Sequence, residues 1–169
     1  MDKTGAGKVA LNGTNTFTGG VTLENGTLEV NDNDALGTGV LTIDNTAGAA
    51  TFQIGTDGVI ISEAITVKNT TNTVTLGTDD GAATAATGTI SGDITLNKGI
   101  TIDNGTNDKL RLDGAVTDSS SSVSDLIINS GTLMVGADNV LPDSLDITLK
   151  GGTLALNDGV TETLRNLTL

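Results

Sequence analysis

Three groups of side chains in this chain have the types and spacing to do chemistry. Asp79-Asp80 and the pair Asp103 and Asp108 offer neighbouring carboxylates, the minimum for general acid–base work or glycoside hydrolysis. Asn31-Asp32-Asn33-Asp34 offers a run of oxygen donors of the kind a calcium ion takes. Thr22, Thr42, Thr66, Thr95, Thr148 and Thr168 each stand in the middle of an apolar-Thr-apolar triplet, so their hydroxyls are expected to form a column on one face. Histidine and cysteine are absent, which rules out a Ser-His arrangement and a thiol nucleophile.

Each group also has a plainer reading. A carboxylate pair needs a partner to split the two acidities, and only Arg111 and Arg165 supply guanidinium groups. Asp103-Asn-Gly-Thr-Asn-Asp108 has the composition of an Asx-rich turn, and Asp79-Asp80 lies in a Gly/Ala loop. Gly-Gly-x-Gly-x-Asp calcium repeats are absent, and Asn31–Asp34 falls where a corner is expected. No catalytic residue, cofactor or metal ligand is therefore assigned, and the chain is read as not an enzyme. The threonine column, interrupted at Ile127, is kept as a candidate surface-binding feature able to order water or present hydroxyls to a glycan. Threonine also suits any half-exposed strand.

Composition narrows the partners. There are 8 basic and 21 acidic residues, a formal net charge of −13, which repels phosphate backbones and anionic lipid. Nucleic acid and membrane insertion are excluded as partners, and a glycan or a host-surface protein remains. The only aromatics are two Phe, so the core must be built from Val, Leu and Ile in small repeated layers.

The elements that position these residues repeat. Val21-Thr-Leu-Glu-Asn-Gly-Thr-Leu-Glu-Val30 returns as Leu126–Val135 and as Ile147–Leu156, and one residue shorter as Ile94–Ile102. The period of about 20–21 residues predicts a solenoid. Three short strands per rung, with Gly- and Asn-rich corners at Asn25-Gly26, Ser130-Gly131 and Gly151-Gly152, predict an all-β, right-handed, single-stranded parallel β-helix. An antiparallel sandwich is the rival, because Asn-Gly also favours hairpins. It gives no reason for one phrase to recur in register.

Stacking the phrases places Val21/Leu23, Leu41/Ile43, Ile65/Val67, Ile94/Leu96, Leu126/Ile128, Ile147/Leu149 and Leu167/Leu169 on a first side. A second side takes Leu28/Val30, Phe52/Ile54, Val74/Leu76, Ile100/Ile102, Leu133/Val135 and Leu154/Leu156. A third takes Leu36, Ile61, Ile90, Leu110/Leu112, Leu141 and Leu164. Leu133 is expected to point inward between Leu154 and Ile100 or its rung neighbour, and Met134 outward. Residues 77–88 and 117–125 read as loop insertions. Residues 1–169 form one coil, and its opening and closing in mid-pattern predict a segment of something longer. Exposed strand edges at Val9 and Leu169 predict end-to-end association.

Gly7–Val30, with Asn15-Thr-Phe-Thr-Gly-Gly20 inside it, and the Ala35-Leu-Gly37 turn resemble the passenger-associated transport repeat of bacterial autotransporters. The close match covers about a quarter of the chain. The resemblance implies a right-handed parallel β-helix in the exposed passenger of a large secreted or adhesin-like protein, on a Gram-negative cell whose outer membrane anchors the parent. It carries no catalytic residues. The expected function is a structural stalk or spacer. The alternatives are an adhesive module and, more remotely, a polysaccharide-acting enzyme.

Overall fold

The computed structural model describes residues 1–169 other than 69, 80, 83 and 121–124. Asp80, a further residue of the 77–88 insertion and the centre of the 117–125 insertion therefore lie outside the described residues. Among the described residues there are strands and turns and no helix.

The chain winds as a parallel β-solenoid of about 7 turns with three sheets. The first sheet stacks Asp2–Lys3, Val21–Leu23, Leu41–Ile43, Ile65–Val67, Ile94–Leu96 and Val116–Asp118. The second stacks Lys8–Leu11, Gly26–Val30, Ala50–Ile54, Val74–Thr78, Ile100–Asp103, Asp125–Ser130, Asp146–Leu149 and Asn166–Thr168. The third stacks Ile60–Ile61, Thr87–Ile90, Lys109–Leu112, Thr132–Val135 and Thr153–Leu156. Every described pairing is parallel, as a coil demands and a sandwich does not.

Alternation decides what is buried. In Val21–Leu23, Leu41–Ile43, Ile65–Val67 and Ile94–Leu96 the outer two residues are buried and the middle one is half-exposed. The inward residues stack into columns such as Leu28, Phe52, Leu76, Ile102, Ile128 and Leu149. Each fully buried aliphatic contributes about 1.5–3 kcal/mol of transfer free energy. That stabilisation is spread rung by rung, because each turn contacts only its neighbours. The last turn is uncovered, with Leu156, Leu167 and Leu169 exposed.

The corners are tight at two glycines of the repeated phrase. Gly26 has φ +76°, and a Cβ there would stand 2.5 Å from the Gly7 carbonyl oxygen. Gly131 has φ +61°, and a Cβ would stand 2.5 Å from the Asn104 Cβ. Both positions need the left-handed region and the empty space that only glycine offers.

The side assignment is corrected in the C-terminal half. Leu126/Ile128 pair with Ile100/Ile102, and Ile147/Leu149 pair with Leu126/Ile128, all in the second sheet. Leu167 follows them there. Leu133/Val135 and Leu154/Leu156 belong to the third sheet, beside Leu110/Leu112. The phrase encodes a strand, a glycine corner and a strand, and nothing in it says which corner. At Val21–Val30 it wraps from the first sheet to the second; at Leu126–Val135 it wraps from the second to the third. The first-sheet strand of that turn is Val116–Asp118, which lacks the apolar-x-apolar signature. One turn on, Val140 takes the same side without a strand, its carbonyl accepting the Val116 N–H at 2.8 Å.

The period also varies more than 20–21 residues. Hydrogen-bonded neighbours on adjacent turns lie 19 residues apart at Asn31 and Asn12 and 30 apart at Thr87 and Asp57. On the third side the N-terminal turns are loops held by bonds such as Thr38 N–H to the Phe17 carbonyl.

Candidate functional site

The six threonines do not form one column. Thr22, Thr42, Thr66 and Thr95 are paired in sequence down the first sheet, and Thr117 continues them. Thr148 and Thr168 are paired with each other on the second sheet. There they end another row: Thr27, Thr51, Thr75, Thr101, Ile127, Thr148, Thr168. The solenoid thus carries two threonine ladders on two faces, with neighbours about 4.8 Å apart along each. Ile127 interrupts the second ladder, and the first runs unbroken from Thr22 to Thr117.

Each candidate carboxylate among the described residues is held by hydrogen bonds. Asp79 accepts the Gly81 N–H at 3.0 Å. Asp103 accepts the Ser130 hydroxyl at 2.5 Å and the Asn129 amide at 3.1 Å. Asp108, buried, accepts the Ala86 N–H at 2.9 Å. The oxygens of Asn31–Asp34 diverge: Asn31 Oδ1 takes the Thr56 hydroxyl, Asp32 Oδ1 takes the Asp34 N–H, and Asn33 Oδ1 takes the Ile60 N–H. No group of three or more metal-ligating side chains exists among the described residues.

A pattern emerges that sequence spacing hid. Side-chain oxygens at the corners reach across to the neighbouring turn. Asp57 accepts the Thr87 N–H, Asp93 the Ala115 N–H and Asp138 the Thr161 N–H, at 2.8–3.0 Å. Asn104, buried, accepts the Thr78 N–H and donates to the Thr132 carbonyl, clasping three turns. Glu162 accepts from both Val140 and Leu141. These groups satisfy backbone donors that a short strand leaves unpaired. Their chemistry is structural.

Outside the clasps, one exposed ion pair tunes a carboxyl. Burial alone raises the Glu29 carboxyl. The hydrogen bonds from Lys8 and Asn31 and the Lys8 charge outweigh it and hold the group below its ordinary value. Lys8 Nζ stands 2.6 Å from Glu29 Oε2.

The other feature is a notch where the turns differ in length. After Ile94–Leu96 the corner is only Asn97-Lys98-Gly99, whereas the preceding turn places six residues between Val67 and Val74. The second sheet opens there. Thr75 pairs with Thr101 and Leu76 with Ile102, but Val74 and Ile100 are not paired. The resulting cavity of about 260 Å³ is lined by Thr71–Val74, Lys98–Thr101, Asp125 and Ile127. Lys98 Nζ donates to the Thr70 carbonyl at 3.0 Å and to the Asn72 carbonyl. Desolvation holds its ammonium below the usual lysine range. The sequence carried one sign of this place: the phrase at Ile94–Ile102 is one residue short.

The class is thus a parallel β-solenoid whose polar side chains mostly stitch turns together. Within it, residues 1–30 match the family model of the passenger-associated-transport-repeat, so the chain carries an autotransporter passenger repeat, a kind of repeat found in secreted or cell-surface proteins. Comparison with curated proteins gave no match, and comparison with solved structures gave none.

Proposed function

We propose that this chain is a spacer segment of a surface-exposed autotransporter-type passenger, holding a binding or effector region away from the bacterial outer membrane. The observation that carries the reading is the second sheet. Its eight strands run in one parallel ladder from Lys8–Leu11 to Asn166–Thr168. About 7 turns at ~4.8 Å per turn make a rod of roughly 34 Å. A close-packed aliphatic interior resists bending and compression. The work is mechanical, and no reaction is assigned. The parent protein is secreted and outer-membrane anchored, and the partners are the neighbouring turns of its own coil.

A spacer's work depends on the number of turns and not on outward side chains. The test displays the segment between a membrane anchor and a fluorescent reporter and measures reporter height by energy transfer to the bilayer. Deleting one whole turn should lower the reporter by about 5 Å. Replacing Thr22, Thr42, Thr66 and Thr95 by Ser should leave the height and the adhesion of the displaying cells unchanged. Unchanged height after turn deletion, or adhesion lost on the outward substitutions, would overturn the spacer reading.

A further inference from the structure

We propose that the notch over Lys98 is a binding site for a neutral saccharide ring. It is the place where four irregularities of an otherwise regular coil coincide. The corner is three residues shorter than that of the preceding turn, the ladder opens between Val74 and Ile100, the outward threonine row is interrupted by Ile127, and a lysine amine turns onto backbone carbonyls.

Size comes first. About 260 Å³ lies just below the range of drug-sized pockets and suits one ring. Ile127, half-exposed, gives it an aliphatic surface, and there the chain forgoes the threonine present at Thr75, Thr101 and Thr148 in the same row. The C–H face of a sugar ring is the matching surface.

The polar groups decide the charge of the ligand. An ammonium has three donors, and Lys98 commits two of them to the carbonyls of Thr70 and Asn72. The amine is thereby fixed in position with one donor left. Asp125, Thr71, Thr73 and Thr101 also line the cavity, and their side chains carry a carboxylate and three hydroxyls. An anionic ligand meets Asp125 and a chain of net charge −13; a cationic one meets Lys98. A pair of vicinal hydroxyls can accept from the amine and donate to the carboxylate at once. With no aromatic side chain lining the cavity, affinity falls in the millimolar range.

The site goes beyond the spacer reading and stands or falls separately, because reporter height and saccharide titration are independent readouts. The test titrates the ¹⁵N-labelled protein with methyl hexosides through the millimolar range and follows backbone amide shifts. The expected shifts are confined to Thr71–Val74, Lys98–Thr101 and Ile127. Asp125→Asn should weaken binding about tenfold, the worth of one hydrogen bond to a charged group. Ile127→Lys should abolish it, and Thr66→Val on the first sheet should change nothing. The amide spectrum of each variant without sugar reports whether it remains folded. The proposal is overturned if no hexoside shifts these amides. It is equally overturned if folded Asp125→Asn and Ile127→Lys bind like the parent, or if a methyl uronide or a hexosamine binds more tightly than the neutral sugar.

Discussion

The carboxylate of Asp108 accepts the backbone N–H of Ala86 on the neighbouring turn at 2.9 Å, and both residues are buried. This contact joins the two turns where Thr87–Ile90 and Lys109–Leu112 begin their ladder. Asp108→Ala removes the acceptor and leaves a buried N–H unsatisfied, which costs about 2 kcal/mol. Asp108→Asn keeps an acceptor oxygen and should recover most of the loss. Urea unfolding of the three proteins measures both; equal stability of Asp108→Ala and parent would show that the clasp contributes nothing.

Glu29 gives the coil a pH dependence of known sign. Its folded-state carboxyl titrates below the ordinary glutamate value of 4.5. The stabilisation is therefore complete above about 4.5 and is lost as pH falls through the lower folded-state value. Against Glu29→Gln, the parent should be more stable at neutral pH, and the gap should close in acid. Urea midpoints across pH 2–7 for both proteins provide the check, and a gap that widens in acid would contradict the sign.

Thr78 is fully buried, and its hydroxyl has no hydrogen-bond partner among the described residues. It occupies the inward position that Ile54 fills one turn earlier. Thr78→Val keeps the shape and removes the unpaired oxygen, so it should stabilise the protein by roughly 1 kcal/mol. A lower melting temperature for Thr78→Val would mean that the hydroxyl is bonded.

Leu133 is inaccessible between Leu110 and Leu154, while the adjacent Met134 lies half-exposed beside Arg111 and Ala155. Leu133→Asp puts a carboxylate into an aliphatic layer and should abolish folding of the central turns. Met134→Asp should cost little, since it gains Arg111 as an outward neighbour. Melting temperatures of the two variants read the register directly. Damage from Met134→Asp alone would invert inside and outside.

The parity of Leu133 and Met134 was legible because strand alternation is local: two residues suffice to state it. The three-sided coil was legible because the phrase Val21–Val30 recurs. Which corner the phrase wraps was not, since a glycine bend looks the same at Gly26 and Gly131. That cost the third-sheet position of Leu133, whose neighbour is Leu110 and not Ile100. It also merged two threonine ladders into one. The clasps were illegible for another reason. Asp57 reads as a turn former, and its partner, Thr87, lies 30 residues away in a turn whose length the sequence does not announce. The notch lies between these cases: its short corner is visible at Asn97–Gly99, but the cavity depends on the longer turn before it.

The register of the second sheet is tested most directly by paired cysteines, and the chain has no native cysteine to interfere. Thr101 and Ile127 are directly paired across adjacent turns. Their Cα atoms therefore lie within the 4.4–6.8 Å that a disulfide spans. Thr95 and Ile127 lie on different sheets, although stacking the phrases by sequence alone makes them neighbours. Under mild oxidation, Thr101→Cys/Ile127→Cys should form an intramolecular disulfide rapidly and Thr95→Cys/Ile127→Cys should not. Cross-linking of the second pair and not the first would contradict a parallel solenoid in which Leu126–Val135 wraps from the second sheet to the third.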